Sequence, residues 1–396
     1  MKTNSTTRKP SKDVFSRLRR KAFLCFAILG MAQAAYSQAP DPANTDATAA
    51  STGGAVFAMT NRAKNNEVVA FRRAADGTLT QTGRYSTGGS GIGVDFDTQG
   101  GLTLHNNHRF LYACNPGSDN VSVFAVDGSR LTLLQRVDAG DQPLSITFSR
   151  NLAYVLDGSV AGNGITGFTV GNDGRLTPIP DSFRALSSPI AVPGEVQFSP
   201  DGQSIVVTGK VGSILDLFKV KSDGRLSEAV QNPSAGRRPF AEAFRKDGRL
   251  LVVESGLPIE HNSAVSSYDL DSAVGLSVIT ASEKNRQTDS CWIVITNDQT
   301  HAFTASFASG TISSYLLRDN GRVDLLNGAA AFTGINSQPT DLALSTGSAY
   351  LYNLLRGTGG VAAFRVNADG SLAGLGIFGV GQGLPVANGA SGLAAY

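Results

Sequence analysis

The chain of 396 residues has little of several things. It holds three cysteines, three methionines, one tryptophan and four histidines. So few thiols cannot staple a chain of this length, which excludes a disulfide-framed fold. Four scattered histidines and no Cys, His or carboxylate run with ligand spacing give no metal motif, and no metal is expected. Charged residues make up 17%, and the net charge is +2, which removes the electrostatic case for nucleic acid. No Gly-x-Ser-x-Gly elbow, phosphate loop or dinucleotide fingerprint is present, so no cofactor is expected. No apolar run is long enough to cross a bilayer.

What the chain has in quantity is glycine, 45 residues of it, and a repeat. An aromatic residue closes an apolar run, a turn follows within a few residues, and Leu or Val opens the next run. The aromatics are Phe71, Phe124, Phe168, Phe218, Tyr268, Tyr315 and Phe364, at successive intervals of 53, 44, 50, 50, 47 and 49. The turns are Asp76-Gly77, Asp127-Gly128, Asp173-Gly174, Asp223-Gly224, Asn320-Gly321 and Asp369-Gly370; the fifth unit has only Asp271 and, later, Gly275. Asp-Gly and Asn-Gly supply the positive φ angles of tight hairpins. A second marker, an alternation ending in Phe before another turn, is clearest at Glu195–Thr208. Seven copies of a unit of several short strands predict an all-β, seven-bladed β-propeller with four antiparallel strands per blade, a (inner) to d (outer).

The first unit starts at strand b, Ala55–Thr60, and lacks an inner strand. The last residues, Ser391–Tyr396, can supply it, so the ring is expected to close by pairing its two ends, which leaves no open edge. Unit two is expected to place its inner strand near Gly93–Phe96. Residues 55–396 are thus read as one domain, expected to be a monomer. Ahead of it, residues 1–34 combine basic positions, the apolar run Ala22–Met31 and Ala32-Gln33-Ala34, the pattern of a cleaved secretory signal, and 35–54 form a flexible leader. Export to the periplasm or beyond follows as an expectation, with no membrane span after cleavage and an envelope protein as a conceivable partner. Cys114 and Cys291 fall three blades apart, too far for a bond. His105, His108 and His301 fall on turns at the face away from the ligand side and are expected at the surface. Trp292, at the start of an inner strand, is expected to pack in the core.

In a propeller the d–a and b–c loops emerge together around one mouth of the central channel. The d–a set offers Asp95, Gln142, Glu195, Arg237, Arg238, Glu242, Asp289 and Asp341. The b–c set offers Arg62, Lys64, Asp119, Asp157, Lys210, Glu254, His261 and Arg356. Glu254 ends an apolar strand, where burial would raise its pKa into the range of a general base. Arg237 would steady a developing oxyanion. Arg238, Arg62 and Arg356 suit a small carboxylated or phosphorylated ligand, and Glu195, Asp341 and His261 complete the candidate lining.

The motifs Phe198-Ser-Pro-Asp-Gly202, Phe110-Leu-Tyr112, Val121-Ser-Val-Phe124 and the repeated Asp-Gly-x-Leu resemble the lactonase-type seven-bladed propellers, the relatives of 6-phosphogluconolactonase and carboxymuconate cyclase. The likeness covers about Gly54 to Tyr396. It implies hydrolysis or isomerisation of a small, sugar-derived carboxylated lactone. The family's His-containing motifs have no counterpart here: Phe240 and Ala241 stand where Arg and His would be, and Glu254 is displaced by two residues from the family's strand-end Glu. A non-catalytic propeller that binds a ligand or an envelope protein is the competing expectation.

Overall fold

In the computed structural model the described residues are 53–94, 97–160, 162–271, 275–387 and 389–396. The expected signal and nearly all of the expected leader lie outside them, as does Asp95. The described residues form seven antiparallel sheets, six of four strands and one with an additional short fifth. Their strand order repeats inner to outer through the chain, and the seven-bladed propeller is what the repeat predicted. One short 3-10 turn, Thr346–Ser348, is the helical content among these residues.

Closure runs as expected. Leu393–Ala395 is the inner strand of the first sheet, antiparallel to Gly54–Met59, with Val56 opposite Ala395 and Ala58 opposite Leu393. Contacts beyond the ladder lock the junction. Arg73 Nε donates to the main-chain oxygen of Tyr396 at 3.1 Å. Asp341, on the neighbouring blade, accepts the Gly392 N–H at 2.9 Å. The Tyr396 ring stacks on His108, 5.0 Å between centroids.

The repeated aromatics are packing residues. Phe71, Phe124, Phe168, Phe218, Tyr268 and Tyr315 are fully enclosed. The Asp-Gly turns do more than close hairpins. Tyr112 Oη donates to Gly174 O at 2.7 Å and Tyr352 Oη to Gly77 O at 2.9 Å, and Tyr154 Oη bonds Gly224 O in the same way. Each tyrosine sits in strand b of one blade, and each glycine in the outer hairpin of the next. The positive φ of these glycines (85° at Gly77, 80° at Gly174) exposes a carbonyl to the neighbouring blade. A Cβ on Gly174 would collide with Phe110. The repeat therefore encodes contacts between blades as well as the turns within them.

Three expectations need correction. The inner strand of the second blade is Leu102–Leu104, not Gly93–Phe96. The residues before it are occupied in crossing the channel, as described below. His301 is buried, 7% exposed, and wedged against Gly370 of the next blade, so the turn it opens is covered by a neighbour. His105 and His108 are half-buried, against Phe148 and Tyr396 respectively. Cys114 and Cys291 are both buried and free.

Candidate functional site

Five inner strands begin in the same way. Gln142, Val192, Arg238, Asp289 and Gln338 each have positive φ, and each directly precedes an inner strand: Pro143–Ser149, Pro193–Phe198, Pro239–Phe244, Ser290–Ile295 and Pro339–Leu344. Just inside, each of these strands shifts register against strand b. A bulge leaves residues unpaired and re-aims their side chains. Glu195 and Asp341 are such residues, which is why strand-interior carboxylates turn toward the channel. Ser145 and Glu242 flank the corresponding shifts in their own strands.

The segment 97–101 runs across the mouth. Trp292 Nε1 donates to Thr98 O at 2.9 Å, and the Thr98 hydroxyl bonds Gly194 O. The Gln99 side chain spans two blades. Its Nε2 donates to Glu195 Oε1 and to Ile293 O, both at 3.1 Å, and its Oε1 accepts the Ile293 N–H at 2.9 Å. Asp97 is gripped from the rim. Lys210 Nζ donates to its Oδ2 at 2.7 Å, and Arg238 Nη2 stands 3.6 Å from the same oxygen. The Lys210 ammonium also lies over the Phe240 ring, 4.5 Å from the centroid. This crossing was not read from the sequence. The one signal was the interval of 53 between Phe71 and Phe124, the longest of the six.

The predicted site residues divide into three groups. Glu254, Arg237, Arg238 and His261 gather at the corner of the fifth blade. Glu254 ends the strand Leu250–Glu254 and is 1% exposed. Ser266 Oγ donates to its Oε1 at 2.5 Å and Ser282 Oγ to its Oε2 at 2.7 Å. Burial pushes its pKa up, against the pull of these hydroxyls. The backbone of Gly236 lies directly on this carboxylate, and a Cβ there would collide with it. Arg237 is exposed and Arg238 half-buried, with their carbonyls accepting from Gly256 at 3.2 Å and Ser255 at 3.1 Å. His261 is exposed, with Nδ1 3.3 Å from Arg286 O.

The second group lines the channel. Glu195 is 1% exposed and accepts from Gln99, from Gln197 Nε2 at 2.7 Å and from the Glu242 N–H at 2.8 Å. Burial still lifts its pKa to about 8. Glu242 is fully buried beside it and its pKa is raised well above the ordinary value, first by burial and then by the Glu195 charge. Asp341 is committed to the Gly392 N–H and so to ring closure.

The third group does not join either. Arg62 bonds Glu67 at 3.2 Å and Gly383 O at 2.9 Å, on an open cavity of 830 Å³ that Arg84 and Gln382 also line. Arg356 lies over the Phe307 ring at 4.4 Å and reaches Gln338 Oε1 at 3.5 Å.

Comparison with known proteins agrees with this architecture. Residues 63–193 match the family model described as Lactonase, 7-bladed beta-propeller. The 6-phosphogluconolactonase of Yersinia pestis (strain Pestoides F) is 25% identical over 170 residues, 42% of this chain and 48% of that protein. The matched stretch thus spans about half the length of that relative. Among solved structures, the periplasmic gluconolactonase of Pseudomonas aeruginosa superposes with a TM-score of 0.64 at 15% identity, covering 85% of this chain and 98% of that one. A protein from Lactobacillus plantarum gives 0.67 at 16%, covering 87% and 100%. At these identities the structures speak for the fold. The resemblance to lactonase-type propellers, read from the repeated motifs, is shown by the family match and by the named relatives together.

Proposed function

We propose that this chain, a lactonase-type propeller resembling the 6-phosphogluconolactonases, hydrolyses a small sugar-derived lactone bearing a carboxylate or phosphate, and does so after export to the periplasm or beyond. The observation that carries the reading is the corner of the fifth blade. A carboxylate whose pKa is raised by burial lies directly under Gly236, next to Arg237 and Arg238. In this reading the exposed Arg237 guanidinium holds the anionic group and faces the carbonyl oxygen as it gains charge, and Arg238 joins it on leaving Asp97. Glu254 takes a proton from the attacking water, and the ring oxygen leaves as an alcohol after protonation. Displacement of the Gly236 backbone would bring the water to Glu254. Export is supported by the basic, apolar, small-x-small order of residues 1–34 and by the periplasmic description of one structural neighbour. The carboxymuconate-type cycloisomerisation remains a variant of the same proposal, with a related carboxylated lactone.

A panel of aldonolactones and phosphorylated aldonolactones, assayed with the full chain, tests it. Wild-type turnover with loss of at least about a hundredfold in kcat for Glu254→Gln is expected for a general base. Unchanged turnover in that variant would remove Glu254 from the mechanism. One observation favours a second reading, a propeller that binds without turnover: Glu254 is cradled by serine hydroxyls within its own blade. Retention of an anionic ligand, lost in Arg237→Ala with Arg238→Ala, alongside no turnover of any lactone, would select it.

A further inference from the structure

Glu195 and Glu242 come from successive blades, and Ser145 from the blade before them. Ser145 and Glu195 border one space beside Gly100, and Glu242 adjoins Glu195. The Glu242 N–H donates to Glu195 Oε2 at 2.8 Å, so the two acidic residues share a wall. Both carboxylate oxygens of Glu242 are enclosed, and neither accepts a hydrogen bond of good geometry; the Gln197 backbone N–H is the donor that acts on the group. Ser145 Oγ, also fully buried, has no hydrogen-bond partner. It shares a space with Glu195: the position a Cβ would take on Gly100 lies 2.5 Å from Ser145 Oγ and 3.8 Å from Glu195 Oε1. Among the described residues neither Glu195 nor Glu242 forms an ion pair. The cations nearest the mouth, Lys210 and Arg238, are engaged with Asp97.

Two buried carboxylates and an orphan hydroxyl without a compensating positive charge are costly unless something supplies it. We propose that the channel binds a divalent, oxygen-seeking cation of the calcium type between Glu195 and Glu242, with Ser145 as a further ligand. The proposal is independent of any lactonase activity. Calcium accepts an irregular set of six to eight oxygens, whereas magnesium demands a tight octahedron. Glu242 can offer both oxygens, Glu195 its Oε2, and Ser145 its hydroxyl. Water completes the shell from the cavity of 420 Å³ on the opposite face, which Gly100 and Gln197 line beside Thr103, Phe148 and Phe244. Two carboxylates balance one divalent charge. The sequence shows no ligand motif because the ligands occupy similar positions in three consecutive blades.

The test uses the full chain, treated with chelator and then titrated with CaCl2, with MgCl2 as control. Calcium is expected to raise the melting temperature by several degrees and magnesium to do much less. Terbium added in place of calcium is expected to luminesce on excitation of Trp292, the chain's single tryptophan, next in sequence to the Ile293 backbone that Gln99 ties to Glu195. Glu242→Gln should abolish both responses while raising the melting temperature of the chelated protein, because a neutral isostere replaces a buried charge. Ser145→Ala should fold normally and weaken calcium affinity about tenfold, which keeps the proposal testable if the first variant is unstable. A melting temperature that ignores calcium but falls as pH rises would show that the pair holds a proton instead, and would overturn the cation. Terbium luminescence that survives Glu242→Gln would place any bound ion elsewhere and overturn it equally.

Discussion

Glu254 and Glu195 are both 1% exposed, both carboxylates, and both have raised pKa values with burial as the leading cause. They are held in opposite ways. Glu254 is satisfied chiefly within one blade, by hydroxyls from strands c and d, Ser266 and Ser282, with Ser234 from the preceding connection farther off at 3.5 Å. Glu195 is satisfied across blades, by Gln99 from the crossing segment and by the Glu242 N–H of the next inner strand. An intra-blade carboxylate depends on a hairpin. A channel carboxylate depends on the whole ring. The first can be turned to chemistry at the rim if the backbone above it moves, while the second is an acid at the axis whose charged form needs a proton or a cation to neutralise it.

The largest break in this comparison comes from the ring. Deleting residues 391–396 removes the inner strand of the first blade, the buried Leu393 and Ala394, and the Asp341 contact to Gly392. The expected outcome, read by circular dichroism and calorimetry, is loss of the cooperative transition for the entire domain, because the faces of each blade are covered by the blades on either side. A truncated chain that still melts cooperatively near the wild-type temperature would show that closure is not structural.

Next comes Glu254→Leu. It strands two serine hydroxyls in a buried site and should cost about 2–4 kcal/mol in denaturant unfolding; Glu254→Gln, which keeps an acceptor, should cost about 1 kcal/mol. The ordering of the two variants carries the test, since equal losses would mean that the serine cradle contributes nothing.

The channel pair is separated from Glu254 by pH. The carboxyl of Glu195 has an ordinary value of 4.5 and is lifted to about 8 in the folded chain. A raised acid binds its proton more tightly when folded. In chelated protein its contribution to stability is therefore complete below pH 4.5, declines as pH rises, and is gone above about 8. The loss is on the order of a few kcal/mol. Melting temperature measured from pH 5 to pH 9 should fall across this window in wild type and flatten in Glu195→Gln. A flat wild-type profile would contradict the burial of the pair.

The smallest expected effect is at the crossing segment. Trp292→Phe keeps the ring against Phe240 but loses the bond to Thr98 O, a loss of about 1 kcal/mol. Hydrogen exchange at residues 97–101 should rise more than elsewhere; uniform exchange would mean that the segment is held by Gln99 and Asp97 without help from the indole.

Much of this was legible in the chain because it repeats. The aromatic positions, the Asp-Gly turns and the missing first inner strand predict the number of blades and closure by Ser391–Tyr396, within which Leu393–Ala395 forms the pairing strand. The mouth was legible only as a set of loops. Arg62 and Arg356, read as rim residues for an anionic ligand, are engaged with Glu67 and Phe307, because a loop's place on a face does not set the direction of its side chains. His301 was misplaced because a turn that looks terminal within one blade is covered by the hairpin of the next. Gln99 was missed since nothing local distinguishes a crossing segment from an ordinary connection.

Local chemistry, then, settled the unit: alternation makes strands, Asp-Gly makes hairpins, and a repeated pattern with one strand missing requires a ring. Those choices depend on neighbours in sequence. The juxtaposition of Ser145, Glu195 and Glu242, the grip of Lys210 and Arg238 on Asp97, and the Gly236 backbone lying on Glu254 came only with the tertiary structure. They depend on register shifts at the starts of inner strands and on how blades face one another, which the sum of packing across the closed ring decides.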